Sequence, residues 1–195
     1  MKKMYLFSMQ TFIVLSLIFT VSCTESVGIE IEIDDDGGDV VGGRLKVGQT
    51  HLGGIIAYID ASGQHGLIAA PEDQSAGIQW YNDSTYVVTG AMDSIVGKGK
   101  NNTNKIIAVQ GNGNYAAKIC RDLVLNGYHD WYLPSIYELE ILYKNREAIG
   151  GFFVACYWSS TESSKYSAWP HPFKYGVQVS GFKNNIYRVR AVRTF

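Results

Sequence analysis

The stretch GYHDWYLPSIYELEILY, at Gly127–Tyr143, carries the clearest fold signal in the chain. Ser135 is followed three residues later by Glu138, the spacing of a helical capping box. Apolar side chains then recur at helical spacing: Ile136, Leu139, Leu142 and Tyr143. The sequence therefore predicts a helix that begins after Ser135 and ends at the Gly-Gly pair 150–151.

Other elements are predicted on both sides of this helix. Two apolar runs, Gly54–Asp60 and Gly66–Pro71, are separated by a Ser-Gly turn and indicate a hairpin. A helix is expected over about Tyr115–Leu125, preceded by a short one over Thr103–Gln110. The remaining predicted strands are Ile78–Tyr81, Tyr157–Ser160, Ala168–Phe173, Val177–Gly181 and Tyr187–Arg193.

This order predicts an α+β fold with an N-terminal hairpin, two main helices, and C-terminal antiparallel strands joined by long loops. The last strand is expected to pair near the first hairpin. The 195 residues suffice for one domain with an accessory segment. Apolar residues make up 46% and charged residues 18%, which allows a packed core. The net charge of −1 argues against a general nucleic-acid binder.

The first 22 residues have the pattern of an export signal. Lys2 and Lys3 precede a short apolar run, Phe12–Phe19, that ends in small residues. The segment TVSC at Thr20–Cys23 resembles a bacterial lipobox, which implies that residues 1–22 are a lipoprotein signal peptide and that Cys23 is lipidated. An uncleaved membrane anchor is the alternative, although the run is short for a span.

Residues 23–43 are expected to form a flexible tether between the lipidated Cys23 and a globular domain over 44–195. Seven acidic and no basic residues lie in 24–39, so the segment repels itself and stays extended. Alternation of Ile29, Ile31 and Ile33 with glutamates leaves a short strand there as an alternative. The C-terminal part, 157–195, is basic, with six Lys or Arg against Glu162.

Two cysteines, Cys120 and Cys156, remain in the globular part. In an exported protein such a pair is compatible with a disulfide. Two buried free thiols are equally compatible, because Cys120 falls on the apolar stripe of a predicted helix.

Several motifs in their order resemble one bacterial family. They are GYHDWYLPSIYELEILY, YWSSTE at Tyr157–Glu162, Ala168-Trp169, Gly176, and VRAVRTF at Val189–Phe195. Together they are similar to the Lcl C-terminal-domain-like family over roughly residues 43–195. The resemblance implies a C-type-lectin-like fold, related to that of the formylglycine-generating enzyme, and an exported binding or adhesion protein. The acidic residues after Cys23 look similar to surface-export signals of Bacteroidetes lipoproteins.

The large and charged residues of these motifs are interpreted first as scaffold. Trp131 and Trp158 are expected in the core. Arg190 and Arg193 are expected to pair with Glu138, Glu140 or Asp130. The polar run 159–162 is expected to cap and satisfy nearby backbone groups.

The C-terminal third also resembles the variable proteins of diversity-generating retroelements, which share this fold. In that resemblance Ala168, Trp169, Phe173, Gly176 and Lys183 would be framework. The exposed, ligand-binding and varied positions would be Ser164, Tyr166, Pro170, His171, Pro172, Lys174, Tyr175, Val177, Ser180, Phe182, Asn184, Ile186 and Arg188. Aromatic, Lys, Arg and Asn side chains supply contact area and directional bonds. An ordinary adhesin loop face is the alternative.

Enzymatic activity is not expected. The four histidines show no metal-ligand spacing, and no spacing places a histidine beside Ser159 or Ser160 as a catalytic base. Cys120 and Cys156 do not match the position of the redox-active thiols in the formylglycine-generating enzyme. We therefore expect no catalytic residue, no metal and no cofactor.

Two functional hypotheses remain. In the first, the chain is a lipid-anchored protein of the outer membrane or cell surface that binds a protein or glycan on a host, a phage or a neighbouring cell. In the second, it is a structural or assembly subunit of the cell envelope, in which the same face packs against a fixed partner.

Overall fold

The computed structural model describes residues 44–82 and 86–195. The predicted signal peptide at 1–22, the lipidated Cys23, the tether at 23–43 and the alternative strand around Ile31 lie outside the described residues. Within them the chain forms an α+β domain, as predicted. The elements are β1 Thr50–His51, β2 Gly54–Ile59, β3 Gly66–Ala69, β4 Ser75–Ile78, α1 Gly99–Gln110, α2 Ala116–Arg121, α3 Ile136–Lys144, α4 Arg146–Ile149, β5 Cys156–Glu162, β6 Ser167–Pro172, β7 Gly181–Phe182, β8 Tyr187–Val189 and β9 Val192–Thr194.

The first sheet joins the predicted hairpin to the end of the chain. Its strands lie in the order β1-β2-β3-β9, and all neighbours are antiparallel. Strand β9 pairs with β3, with Ile68 opposite Arg193. The expectation that the last strand lies beside the first hairpin is therefore confirmed.

The second sheet has the order β4-β8-β5-β6-β7. Strands β5 and β8 run parallel, with Tyr157 opposite Arg188, and the other neighbours are antiparallel. The single strand predicted over Tyr187–Arg193 is wrong, because the chain leaves the second sheet after Val189 and enters the first at Val192. This short crossing fixes the two sheets to each other.

Helix α3 confirms the capping-box prediction. The Ser135 hydroxyl accepts a hydrogen bond from the Glu138 amide at 3.3 Å, and the Glu138 carboxylate accepts one from the Ser135 amide at 2.7 Å. The helix ends at Lys144, and the short α4 then continues to Ile149 before the two glycines. The boundaries of the other two helices were wrong: α1 begins four residues earlier than predicted, and α2 is half the predicted length.

Three tryptophans lie fully inside the domain: Trp80, Trp131 and Trp158. The Trp158 indole donates to the Ile78 carbonyl at 2.9 Å, and the Trp80 indole donates to the Ser159 carbonyl at 2.8 Å. The predicted core positions of Trp131 and Trp158 are confirmed. These bonds tie β4 to β5 where the core is deepest.

The two C-terminal arginines are scaffold, but one partner differs from the prediction. Arg193 binds Asp130 through two nitrogens, at 2.7 and 3.1 Å, as expected. Arg190 binds Asp73 at 2.7 Å rather than a helix glutamate. The candidates on α3 are engaged elsewhere, because Glu138 caps its own helix and Glu140 pairs with Lys144 at 2.8 Å.

Cys120 and Cys156 are free thiols in this structure, but only Cys120 is buried and Cys156 is half-buried, so the alternative of two buried free thiols holds in part. Burial raises the pKa of both thiols, which keeps them protonated and weakly nucleophilic. Among the described residues, no helix has the length and apolar character that a membrane span requires. Over the same residues, no group of three His, Cys, Asp or Glu side chains is placed to hold a metal ion.

Candidate ligand-binding face

Most of the predicted ligand-binding residues reach solvent. We call the exposed ones the loop face: Ser164, Tyr166, Lys174, Tyr175, Val177, Ser180, Phe182, Asn184 and Ile186. Tyr175 is 67% exposed and Phe182 is 63% exposed, although such side chains are usually buried. Arg188, on β8, is half-buried. The predicted framework residues are buried or half-buried: Ala168, Trp169, Phe173, Gly176 and Lys183.

Three predicted surface residues are buried instead: Pro170, His171 and Pro172. The resemblance to variable proteins implied that these residues are exposed, but they form the second half of β6, within the strand predicted over Ala168–Phe173. Strand β5 pairs along one edge of β6, whereas β7 pairs only with Ser167 and Ala168 on the other edge. The prolines thus lie beyond the reach of β7, where no ladder needs their missing N–H groups. Their predicted exposure is wrong, and we exclude them from the loop face.

The loop between β6 and β7 lies against helix α3. The Gly176 amide donates to the Pro172 carbonyl at 3.0 Å, and the Gln178 side chain donates to Glu140 at 2.9 Å. Gly176 has a φ of +69°, and a Cβ there would stand 2.5 Å from the Tyr143 hydroxyl oxygen. A side chain at this position would push the loop and the Tyr143 ring apart, so the glycine allows the loop to pack closely against α3.

A buried ion pair fixes the base of the loop face. Lys183 Nζ contacts the Glu162 carboxylate, and both side chains are almost completely inaccessible to solvent. The same ammonium donates to the carbonyls of Val87 at 2.9 Å and Lys165 at 3.0 Å, and it lies 4.6 Å from the centre of the Trp80 ring. Burial lowers the pKa of Lys183, and the charge of Glu162 opposes that shift.

Glu162, the acidic partner of this pair, also holds the chain around 87–90. The Glu162 carboxylate accepts hydrogen bonds from the amides of Thr89, at 2.9 and 3.0 Å, and Gly90, at 2.9 Å. One ion pair therefore joins three segments: the turn at 163–166, the chain that follows β7, and the chain around 87–90. No local pattern indicates this pairing, since Glu162 ends β5 and Lys183 follows β7, 21 residues later.

Aromatic contacts extend the loop face toward the chain around 87–90. Tyr86 stacks on Tyr81 with ring centres 4.8 Å apart, and it meets Tyr166 edge-on at 5.3 Å. Exposed apolar side chains continue beyond Tyr86 to the start of α3: Val88, Met92, Ile95, Val96 and Tyr137. Sequence reasoning missed these residues because those at 88–96 show no apolar periodicity and Tyr137 lies off the apolar stripe predicted for its helix.

The exposed charges of the loop face are basic. Lys165 lies over the Tyr166 ring at 5.5 Å, and Lys174 lies over the Tyr175 ring at 5.0 Å. The nearest acidic groups are engaged, since Glu162 is buried with Lys183 and Glu140 pairs with Lys144. The surface thus offers aromatic rings with cations beside them, a composition typical of binding surfaces.

These observations define an α+β domain whose C-terminal loops form an exposed aromatic face over a tightly bonded base. The family model described as the Lcl C-terminal domain matches residues 70–193. The chain therefore belongs to the Lcl C-terminal domain family. No curated protein matches the chain.

A first test concerns the buried ion pair. We expect Lys183→Met to lower the free energy of unfolding by about 3–5 kcal/mol, because it leaves the Glu162 charge buried without its cation. Urea denaturation at neutral pH measures the change. The control is Lys165→Met, which removes an exposed lysine from the neighbouring turn and should leave the midpoint nearly unchanged. Equal midpoints for the two variants would contradict the role given to the pair.

A second test concerns His171. Its ring lies 4.9 Å from that of Tyr143, and neither ring nitrogen has a hydrogen-bond partner within the described part of the chain. Burial lowers the pKa of His171 from 6.5; the charge of Glu140 raises it and that of Lys144 lowers it. The folded protein therefore keeps this ring neutral at a pH where the unfolded chain takes up a proton, and stability is lost as pH falls below 6.5.

We expect His171→Phe to stabilise the domain by about 1 kcal/mol at pH 7.5, because it removes two unpartnered polar atoms. Its advantage over the wild type should grow between pH 7 and pH 5. Thermal melts of both proteins across this range provide the measurement. A constant or shrinking difference toward acid pH would show that His171 is not held neutral.

Proposed function

We propose that the chain is a surface recognition protein that binds a protein or glycan ligand through the loop face. The observation that carries the proposal is the loop face itself: large aromatic side chains stand in solvent on loops whose bases are locked by buried polar contacts. Exposed apolar area has a free-energy cost in water, and a contiguous patch of it is typical of an interaction site. Scaffolded loops are where binding residues are usually carried.

The contacts that hold the loops beneath the loop face also support a role in binding. Lys183, Glu162 and Gly176 hold the loops by contacts that do not involve the exposed side chains. The exposed residues are thus free to contact a partner without loss of the fold. Because the loop backbones are already ordered, less conformational entropy is lost on binding.

The contrast between exposed and buried positions supports a finer proposal, that the chain is a C-type-lectin-like domain with a variable face. Nine of the thirteen positions expected to vary are exposed, and the five expected framework positions are buried or half-buried. Substitution at exposed positions costs little stability. We therefore infer that the loop face tolerates sequence change, as a diversified binding surface requires, whereas the buried segment 170–172 does not.

The lipid anchor and the cell-surface location are part of the same proposal. They rest on the sequence of the first 43 residues, where a short apolar run ends at Cys23 and an acidic stretch follows. A lipidated N-terminus and an extended acidic tether would hold the domain away from the membrane, with the loop face available to ligands.

The binding proposal is tested with the triple variant Tyr175→Ala, Phe182→Ala and Ile186→Ala. The full chain is screened against arrays of glycans and of surface proteins, and each hit is compared between wild type and variant. We expect binding to weaken at least tenfold, because exposed aromatic anchors carry most of the energy of such surfaces. The control, Val109→Ala with Val124→Ala, removes exposed apolar side chains outside the loop face.

Hits that bind the triple variant as well as the wild type would exclude the loop face as the binding site. A single hit from the envelope of the producing cell, with none from other cells, would favour the structural subunit instead. Both proteins must give the same circular-dichroism spectrum and melting temperature for the comparison to count.

The anchor is tested by Cys23→Ser in the producing cell. We expect the variant to lose incorporated fatty acid and to move from the membrane fraction to the soluble fraction, because the thiol that carries the lipid is gone. Cys156→Ser is the control and should remain with the membranes. A Cys23→Ser protein that still fractionates fully with membranes would contradict lipid anchoring at this residue.

A further inference from the structure

A cleft outside the loop face carries a second site. Its volume is about 460 Å³, and Glu72, Asp73, Phe153 and Arg188 are among the residues that line it. This size falls in the range of pockets that hold small ligands. Phe153 is 57% exposed at its wall, and the Arg188 guanidinium lies 3.8 Å from the centre of that ring.

The walls of this cleft are held in place by one hydroxyl group. Tyr157 is fully buried, and its hydroxyl donates to Asp73 at 2.9 Å while it accepts from the Phe153 amide at 3.0 Å. Asp73 in turn accepts from Arg188 Nη1 at 2.9 Å. The Tyr157 hydroxyl and the Asp73 carboxylate therefore position both the Phe153 main chain and the Arg188 guanidinium without help from a ligand.

Arg188 and Arg190 differ in how their donors are used. Arg190 is fully buried. Its guanidinium donates hydrogen bonds to Asp73 and to main-chain carbonyls, including those of Ala70 and Pro71 at 2.9 Å. Arg188 keeps 21% of its side chain exposed, and within the described residues its hydrogen bonds use Nη1 alone. Arg190 is thus a scaffold residue, whereas Arg188 presents unused N–H donors at the cleft.

The cleft presents both a cation and an anion to solvent. Arg188 and the fully buried Arg190 share the carboxylate of Asp73, so the exposed cation of the cleft is Arg188 and its exposed anion is Glu72. A planar guanidinium with donors available binds a carboxylate through two parallel bonds. The exposed Glu72 lines the same cleft and can accept hydrogen bonds from hydroxyl groups.

We propose that this cleft binds an acidic sugar, with Arg188 on the ligand carboxylate, Glu72 on ring hydroxyls, and Phe153 against the apolar face of the ring. The three side chains match the three chemical features of such a ligand. A simple anion would be repelled by Glu72 without any hydroxyl to offset it, and a neutral sugar would offer no carboxylate to the N–H groups of Arg188 that Asp73 does not use. The site does not depend on the loop face, and either can fail without the other.

The test is an NMR titration of the full chain with glucuronate, followed through the backbone amides of Gly151 and Phe153. Glucose and N-acetylglutamate are the comparison probes, the first without a carboxylate and the second without a sugar ring. We expect saturable shifts with glucuronate and at least tenfold weaker binding of either comparison probe.

Arg188→Gln should weaken glucuronate binding about tenfold or more, since a charge-assisted bidentate contact is lost. Asp73 keeps Arg190 and Tyr157 in this variant, so the fold should persist. Phe153→Ala should weaken binding about threefold or more through loss of the ring contact. The matched control is Arg121→Gln, which removes an exposed arginine on α2 whose guanidinium contacts the Asn104 side chain outside the cleft, and it should change binding less than about twofold.

Three results would overturn the proposal. The first is the absence of saturable shifts with glucuronate. The second is equal glucuronate binding by wild type and Arg188→Gln. The third is N-acetylglutamate binding as tight as glucuronate, which would make the site a carboxylate site for peptides. None of these results bears on the triple variant of the loop face, so the two proposals are tested separately.

Discussion

The buried pair of Glu162 and Lys183 is the contact on which the exposed surface depends. Neither charge has access to water, so each needs the other and the main-chain groups around them. Those groups belong to the chain at 87–90 and to the turn at 163–166. The ion pair therefore holds both of these segments against the chain that follows β7. A surface built on loops obtains its shape from this interior contact rather than from a sheet.

Asp73 has the corresponding role between the two sheets. It holds Arg190 at the point where the chain crosses from β8 to β9, and it holds Arg188 at the wall of the cleft. One carboxylate thus stabilises the crossing and positions a guanidinium that reaches solvent. The buried arginine also satisfies main-chain carbonyls of the opposing loop at this crossing, which would otherwise be buried without a donor.

The surface of the domain divides into two regions of different chemistry. The loop face is aromatic with lysines beside the rings, and a broad partner can lie across it. The cleft at Arg188 is small, concave and charged, which favours a compact ligand. Family membership is compatible with both, since function resides in sites rather than in a fold.

The sequence by itself determined the elements whose signals are local. The capping box at Ser135 set the start of α3, the apolar runs set the hairpin, and large apolar size placed Trp131 and Trp158 in the core. Tertiary structure alone decided the burial of Pro170–Pro172, the pairing of Glu162 with Lys183, and the choice of Asp73 by Arg190. Local patterns follow from a few neighbouring residues. Which strand covers a segment, and which charge meets another across the core, depends on how the whole chain closes on itself.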